Sequence, residues 1–176
     1  MVIQSERLRL RSWRESDRSA FANLNADPDI MYDLGGPLDR SRSDAKFDRY
    51  VAAFERHGFC RWALEDLGGA LLGYTGIMPS PPDHPLGPHV EIGWRLKRSV
   101  WGNGYATEAA TAALRDGFTR LGLSEILSYT APDNQRSQAV MTRLRLQRDP
   151  LRDFTAQYDG VDAWRGLVWA ARAECF

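Results

Sequence analysis

From Ala106 to Leu121 the apolar residues Ala109, Ala110, Ala113, Leu114, Gly117 and Phe118 recur at spacings of three and four. That period predicts an amphipathic helix. Thr107, Glu108, Thr111, Arg115, Asp116, Thr119 and Arg120 occupy its polar face, and Gly122 is placed to stop it. Just upstream the period changes to two. Val90, Ile92, Trp94 and Leu96 alternate with Glu91, Gly93 and Arg95, which predicts a strand over 90–97 with one apolar face.

The rest of the chain divides by the same patterns. A strand is predicted over 6–13, where Leu8 and Leu10 alternate with arginines. A helix capped by Ser16 or Asp17 then carries Phe21, Leu24 and Asn25 until Asp27-Pro28 interrupts it. After the Gly35-Gly36-Pro37 loop, a second helix opens at Ser43 or Asp44. It turns Phe47, Tyr50, Val51 and Phe54 inward and ends at Gly58. Strands at 59–66 and 71–78 flank Asp66-Leu67-Gly68-Gly69, a hairpin turn, and the proline-dense 79–88 segment is a loop. A short strand at 125–131, a helix from Asn134 to Leu146, and strands near 151–158 and 163–172 complete the pattern. The order βααβββαβαββ predicts a mixed sheet between helices in a three-layer α/β arrangement, better than it fits a Rossmann repeat. At 176 residues, a single domain over 1–176 is expected.

Between the 90–97 strand and the long helix lies Trp101-Gly102-Asn103-Gly104-Tyr105-Ala106-Thr107-Glu108-Ala109. A Gly-x-Gly turn at a helix N-terminus offers unpaired N–H groups and the positive end of the helix dipole to a phosphate. Alone, the motif reads first as a turn that merely starts an ordinary core helix. A dinucleotide fingerprint would need glycine at Thr107, and a P-loop would need a Gly-Lys-Ser/Thr that is absent.

Charge narrows the choices. Twenty-three basic residues balance 23 acidic ones, and Lys46 and Lys97 are the only lysines, so no global field recruits nucleic acid or an anionic membrane. Cys60, Cys175, His57, His84 and His89 have no metal-ligand spacing and read as structural or surface residues, with no metal expected. The N-terminus lacks the apolar run of a signal peptide, and no run of about 18 apolar residues occurs. A cytoplasmic, soluble protein is expected.

Four pieces occur in order: Glu91-Ile92-Gly93-Trp94-Arg95-Leu96, the Trp101-to-Ala109 turn, Gly117-Phe118 with Leu121-Gly122-Leu123, and Asn134-Gln135-Arg136-Ser137. Together they resemble the GNAT N-acetyltransferase superfamily, in particular its RimJ/RimL-like branch, from the Glu6-Arg7-Leu8-Arg9-Leu10 opening through the late strands. The resemblance implies a three-layer GNAT-like fold with a central mixed, mostly antiparallel sheet flanked by helices. It implies acetyl-CoA as cosubstrate and a primary amine as acceptor, either a protein N-terminal α-amine or a small molecule, with direct acetyl transfer. A homodimer is compatible with it. On this resemblance Gly102, Asn103, Gly104, Tyr105, Ala106 and Thr107 hold the CoA pyrophosphate, and the backbone around Trp94 and Leu96 follows the pantetheine arm. Asn134 either caps its helix or touches CoA, roles its amide can combine.

Direct transfer needs a neutral amine, and a free alkylamine near pKa ~10.4 is mostly protonated at neutral pH. Glu91, on the polar face of the strand beside the thioester, is the candidate base, with an ion pair to Arg95 as its structural alternative. Many superfamily members carry a Tyr seven positions after the motif Asn, where this chain has Met141. Ser137 matches the serine of the RimJ/RimL-like pattern and is the candidate to protonate or hydrogen-bond the sulfur, with first-turn helix satisfaction as its alternative. Glu108 suits the helix N-terminus electrostatically. Arg145-Leu146 replaces the usual Gly-Phe stop, so the helix must end differently or accept strain. Two other functions are consistent with the turn alone: a non-catalytic acyl-CoA-binding or sensing domain, and a nucleotide-binding regulator. The segments around Met31-Tyr32, residues 79–89, and Phe154 to Trp164 are expected to border the acceptor pocket.

Overall fold

Leu8 and Leu10 are fully buried along β2 (Leu8–Arg11), which pairs with an edge strand, β1 (Val2–Gln4), that the sequence pattern did not predict. Three residues are too few for a period of two to register. The computed structural model describes residues 2–158 and 161–176. Its remaining strands are β3 (Arg61–Asp66), β4 (Leu71–Pro79), β5 (Val90–Leu96), β6 (Glu125–Thr130), β7 (Gln147–Arg148), β8 (Phe154–Tyr158) and β9 (Val161–Arg172). They lie in the order β1-β2-β3-β4-β5-β6-β9-β7, and β8 pairs with the first half of β9. Every pairing is antiparallel except β5 with β6, the one parallel junction among the described residues.

Helices α1 (Arg18–Ala26), α2 (Pro28–Met31) and α3 (Arg40–His57) pack on one face, where Phe21, Leu24, Ile30, Phe47, Tyr50 and Tyr74 form an aromatic-rich core. On the other face α4 (Tyr105–Thr119) buries Ala109, Ala110, Ala113 and Leu114 against Trp62, Ile77 and Ile92, and α5 (Gln135–Arg143) adds Val140 and Met141. The three-layer expectation holds, as do the apolar faces expected of β5 and α4.

The boundaries differ where polar side chains find other partners. Asp17 does not cap α1 with its side chain. Its carboxylate accepts from the Arg14 N–H at 2.8 Å and from Arg11 at 2.7 Å within the preceding 3₁₀ turn. Asp27-Pro28 interrupts the first helix as expected, α1 ending at Ala26, and it also opens α2, with Asp27 accepting from the Asp29 N–H and Pro28 at the first helical position. The helix expected to open at Ser43 or Asp44 begins at Arg40, because Asp39 accepts from the Arg42 N–H at 2.8 Å. Ser43 is buried inside it and accepts from Asn25 Nδ2. α5 ends at Arg143 rather than Leu146, and the strand expected from 151 starts at Phe154, after a 3₁₀ turn over Pro150–Arg152. Both cysteines are free, and burial pushes the Cys60 thiol up to about 12. Among the described residues, no helix is long and apolar enough to cross a membrane.

Candidate active site

β4 pairs with β5 along its whole length, from Gly73↔Leu96 to Pro79↔Val90, whereas the parallel ladder between β5 and β6 is the single pair Glu91↔Leu127. Ser128 adds one bond across this junction, its hydroxyl donating to the Ile92 carbonyl at 3.1 Å. Beyond it β6 follows β9, and the two strands part. The far edge of β5 therefore carries backbone groups that no strand takes up, an arrangement suited to an extended ligand. A cavity of about 830 Å³ opens in this wedge, reached by Glu91 and Trp94 of β5, Tyr129 of β6, and Ser137 and Met141 of α5.

Glu91 lies at the cavity, and its carboxylate is 2.6 Å from the Arg61 guanidinium of β3. The expected alternative, an ion pair with Arg95, is not what forms. Arg95 Nη1 instead donates to Met31 Sδ at 2.6 Å. Burial is the largest influence and disfavours the Arg61 charge, but the facing Glu91, with Tyr50, Tyr129 and Tyr74, together outweigh it and raise the guanidinium above its ordinary value. Burial likewise opposes ionisation of Tyr74, yet the charges of Arg95 and Lys46 hold its hydroxyl below the ordinary tyrosine range. Lys46, Arg49, Arg56, Arg61 and Arg95 line the cavity with Glu91, Asp33 and Asp83, so basic residues outnumber carboxylates around it.

The Gly-x-Gly turn has the conformation its glycines permit: Gly102 and Gly104 have φ of 80° and 77°. A Cβ at Gly102 would meet open space, and one at Gly104 only Arg7 Nη2 at 3.7 Å. Glu108 N–H to Gly104 C=O, 3.0 Å, starts the α4 ladder, so the N–H groups of Tyr105, Ala106 and Thr107 precede it and lack an intrahelical partner. These residues fit a diphosphate. Asn103 is a brace as well, its amide donating to the Val100 and Trp101 carbonyls at 3.1 and 3.2 Å. Glu108 does more than meet the dipole. It accepts from Ser5 Oγ, the Arg7 N–H and Arg7 Nε, all within 2.8 Å, and ties the β1–β2 turn to α4. Beside the turn, a hollow of about 410 Å³ includes Tyr32, Arg98 and Arg136, with the Arg136 guanidinium 4.3 Å from the Trp101 ring.

Asn134 caps α5, accepting from the Ser137 N–H at 3.0 Å, and donates to Asp33. Ser137 and Met141, one turn apart, both reach the cavity, and Met141 is otherwise buried. Leu96 is buried in the core beneath α4, and Trp94 packs partly against that core while bordering the cavity. The Leu96 carbonyl accepts from Trp101 Nε1 at 2.9 Å.

The family model for the acetyltransferase (GNAT) domain matches residues 7–147. The chain belongs to the GNAT acetyltransferase family. It is 31% identical to the Bacillus subtilis (strain 168) protein YkkB over 144 residues, 81% of this chain and 83% of that one. The acetyltransferase of Agrobacterium tumefaciens str. C58 superposes with a TM-score of 0.83 at 29% identity, covering 98% of this chain and 94% of that one. Mycobacterium smegmatis RimJ, solved with CoA-disulfide, shares the fold with a TM-score of 0.74 at 22% identity, over 96% of this chain and 83% of that one. The protein is thus an acyltransferase of a family that uses acetyl-CoA.

In this GNAT chain the cavity draws together Glu91, Ser137 and Trp94, while the turn residues 102–107 stand apart from it, at the start of α4. Residues 79–83, Gln157 and Trp164 do border the cavity, as do Asp33 and Leu34 from the segment around Met31-Tyr32, whereas Tyr32 itself faces the other hollow. Sequence reasoning missed Lys46 and Arg49 of the α3 wall and the buried Arg61, and it read Tyr50 only as core and Arg95 only as an ion-pair partner. Their signal was faint: Lys46 and Arg49 sit in a helix already dense in charged residues, and Arg61 is one charge at the start of an apolar strand. It also read His84 and His89 as unconnected, whereas their rings lie 4.6 Å apart against Tyr129.

Proposed function

We propose that the protein transfers an acetyl group from acetyl-CoA directly to a primary amine, either a protein N-terminal α-amine or a small molecule, within a single domain. The observation that carries this reading is the wedge between β5 and β6, with a carboxylate at its head and a phosphate turn at the start of α4. Acetyl-CoA supplies the activated acyl group. The N–H groups around Gly102 to Thr107 hold its diphosphate, and the open edge of β5 near Trp94 and Leu96 pairs with the pantetheine arm. Asn134 sets the first turn of α5 so that Ser137 faces the cavity.

Within the cavity Glu91 takes a proton from the acceptor ammonium, directly or through water, leaving the amine free to attack. Backbone N–H groups of β5 stabilise oxygen as charge develops on it. Ser137 donates to the departing sulfur. Met141 has no donor, so this role falls to the serine one turn earlier.

The test is an acceptor screen read by mass spectrometry with acetyl-CoA present, over N-terminal peptides, polyamines, aminoglycosides and amino acids. An acetylated product is expected in at least one class. With that acceptor, Glu91→Gln should lower kcat/KM about 100-fold at neutral pH, with CoA affinity retained. Ser137→Ala should lower kcat with little change in KM. Undiminished turnover in both variants would remove these assignments.

A further inference from the structure

Arg61, Gly76 and Gly93 stand in one row across three strands, since Arg61 of β3 pairs with Gly76 of β4 and Gly76 with Gly93 of β5. Two adjacent glycines leave that row without side chains, and the Arg61 side chain fills it. Its Nη1 donates to the Gly76 carbonyl, and its Nη2 meets Glu91 Oε1 at 2.6 Å, so the guanidinium crosses β4 to reach a carboxylate on β5. The fit over Gly93 is close. A Cβ there would sit 3.0 to 3.2 Å from Nη2, Cζ and Nη1. Arg61 is 7% exposed and the Glu91 side chain 15%, so solvent screens this pair little.

We propose that Arg61 is the positioning residue for Glu91, and that the missing side chain at Gly93 leaves the room its guanidinium takes. A carboxylate at the head of a partly buried cavity tends to take up a proton and lose its use as a base. The guanidinium opposes that. It fixes one Glu91 oxygen and orients the other for the acceptor. Because arginine stays charged throughout the working pH range, the hold does not depend on pH near neutrality. Further basic residues line the same cavity: Arg95 of β5, and Lys46, Arg49, Arg56 and His57 of α3. His84, from the 79–89 loop, is held below its ordinary value by burial and by His89, so it adds no charge at neutral pH. Asp83 of that loop and Asp33 are the other carboxylates at the cavity.

This proposal rests on the reading of Glu91 as base, and the experiment separates the two. Protein labelled at the glutamate side-chain carboxyl is titrated by NMR, with the Glu91 signal identified by its loss in Glu91→Gln. In Arg61→Gln the Glu91 titration should move up by about one pH unit or more, the effect of removing an opposite charge in contact. Arg61→Lys should return most of that shift. With the acceptor found in the screen, the acid limb of kcat/KM against pH should move by the same amount and in the same order. Gly93→Ala keeps both charges and serves if Arg61→Gln fails to fold: displacing the guanidinium should raise the Glu91 titration in the same direction by a smaller amount. A Glu91 titration unmoved in the folded variant overturns the role of Arg61. If the titration moves but Glu91→Gln leaves turnover intact, the base assignment falls and the electrostatic hold stands.

Discussion

Arg11, Asp17 and Glu65 show what one buried side chain can bind together. The Arg11 guanidinium sits between the Asp17 and Glu65 carboxylates at 2.7 and 2.6 Å, and all three residues are 5 to 6% exposed. Arg11→Met strands two buried carboxylates, at a cost of about 3–5 kcal/mol. The pH dependence follows from Asp17. Burial raises its carboxyl, but the bonds from Arg11 and the Arg14 N–H outweigh burial and depress it. A depressed folded value means stabilisation that is present above the unfolded value, near pH ~3.9, and is lost as pH falls through the folded one. Denaturant unfolding of the two proteins should show their stability gap narrowing below about pH 4. A gap that stays constant into acid would mean that these charges do not set it. Asp17 was legible as a helix-start residue, but its role was not, because a cap is a local pattern and this ion pair joins two strands and a turn.

At the scale of elements, periodicity located every long helix and every strand of five residues or more, and erred mainly at ends. The helix ends that matter most are at α4 and α5. In α4 the two glycines already named the turn. In α5 the sequence lacked the glycine, and the structure keeps the same stop anyway. Leu146 N–H bonds Met141 C=O at 3.1 Å and Arg145 N–H bonds Thr142 C=O at 3.0 Å, a Schellman motif with Arg145 at φ 57°. Burial of Leu144 and Leu146 on either side holds arginine in that conformation. Arg145→Gly should therefore stabilise the fold by about 1 kcal/mol. For a chain of this size that raises Tm by roughly 2–4 °C. Calorimetry checks it, and an unchanged or lowered Tm would mean that the arginine side chain gives back what its backbone loses.

For the whole molecule, the feature that sequence patterns could not supply is the parting of β5 from β6, because strand patterns do not say where a ladder stops. The same holds for Arg61, which becomes a neighbour of Glu91 only when β3, β4 and β5 lie in register. The wedge divides the sheet into β1–β5 and the β6–β9 group, joined by one ladder pair and the Ser128 bond. A ligand lying from the α4 turn along β5 would touch both parts in the folded state alone. Binding then stabilises by mass action: CoA at about 100 times its Kd should contribute ~2.7 kcal/mol. The corresponding rise in Tm is roughly 5–10 °C. ADP carries the diphosphate but no pantetheine, so at equal concentration it should give a small part of that rise. Gly102→Ala, which puts a side chain on a left-handed residue in the cradle, should reduce the CoA shift. Differential scanning fluorimetry decides it: equal shifts from ADP and CoA would confine the ligand to the turn and leave the wedge without a role in donor binding.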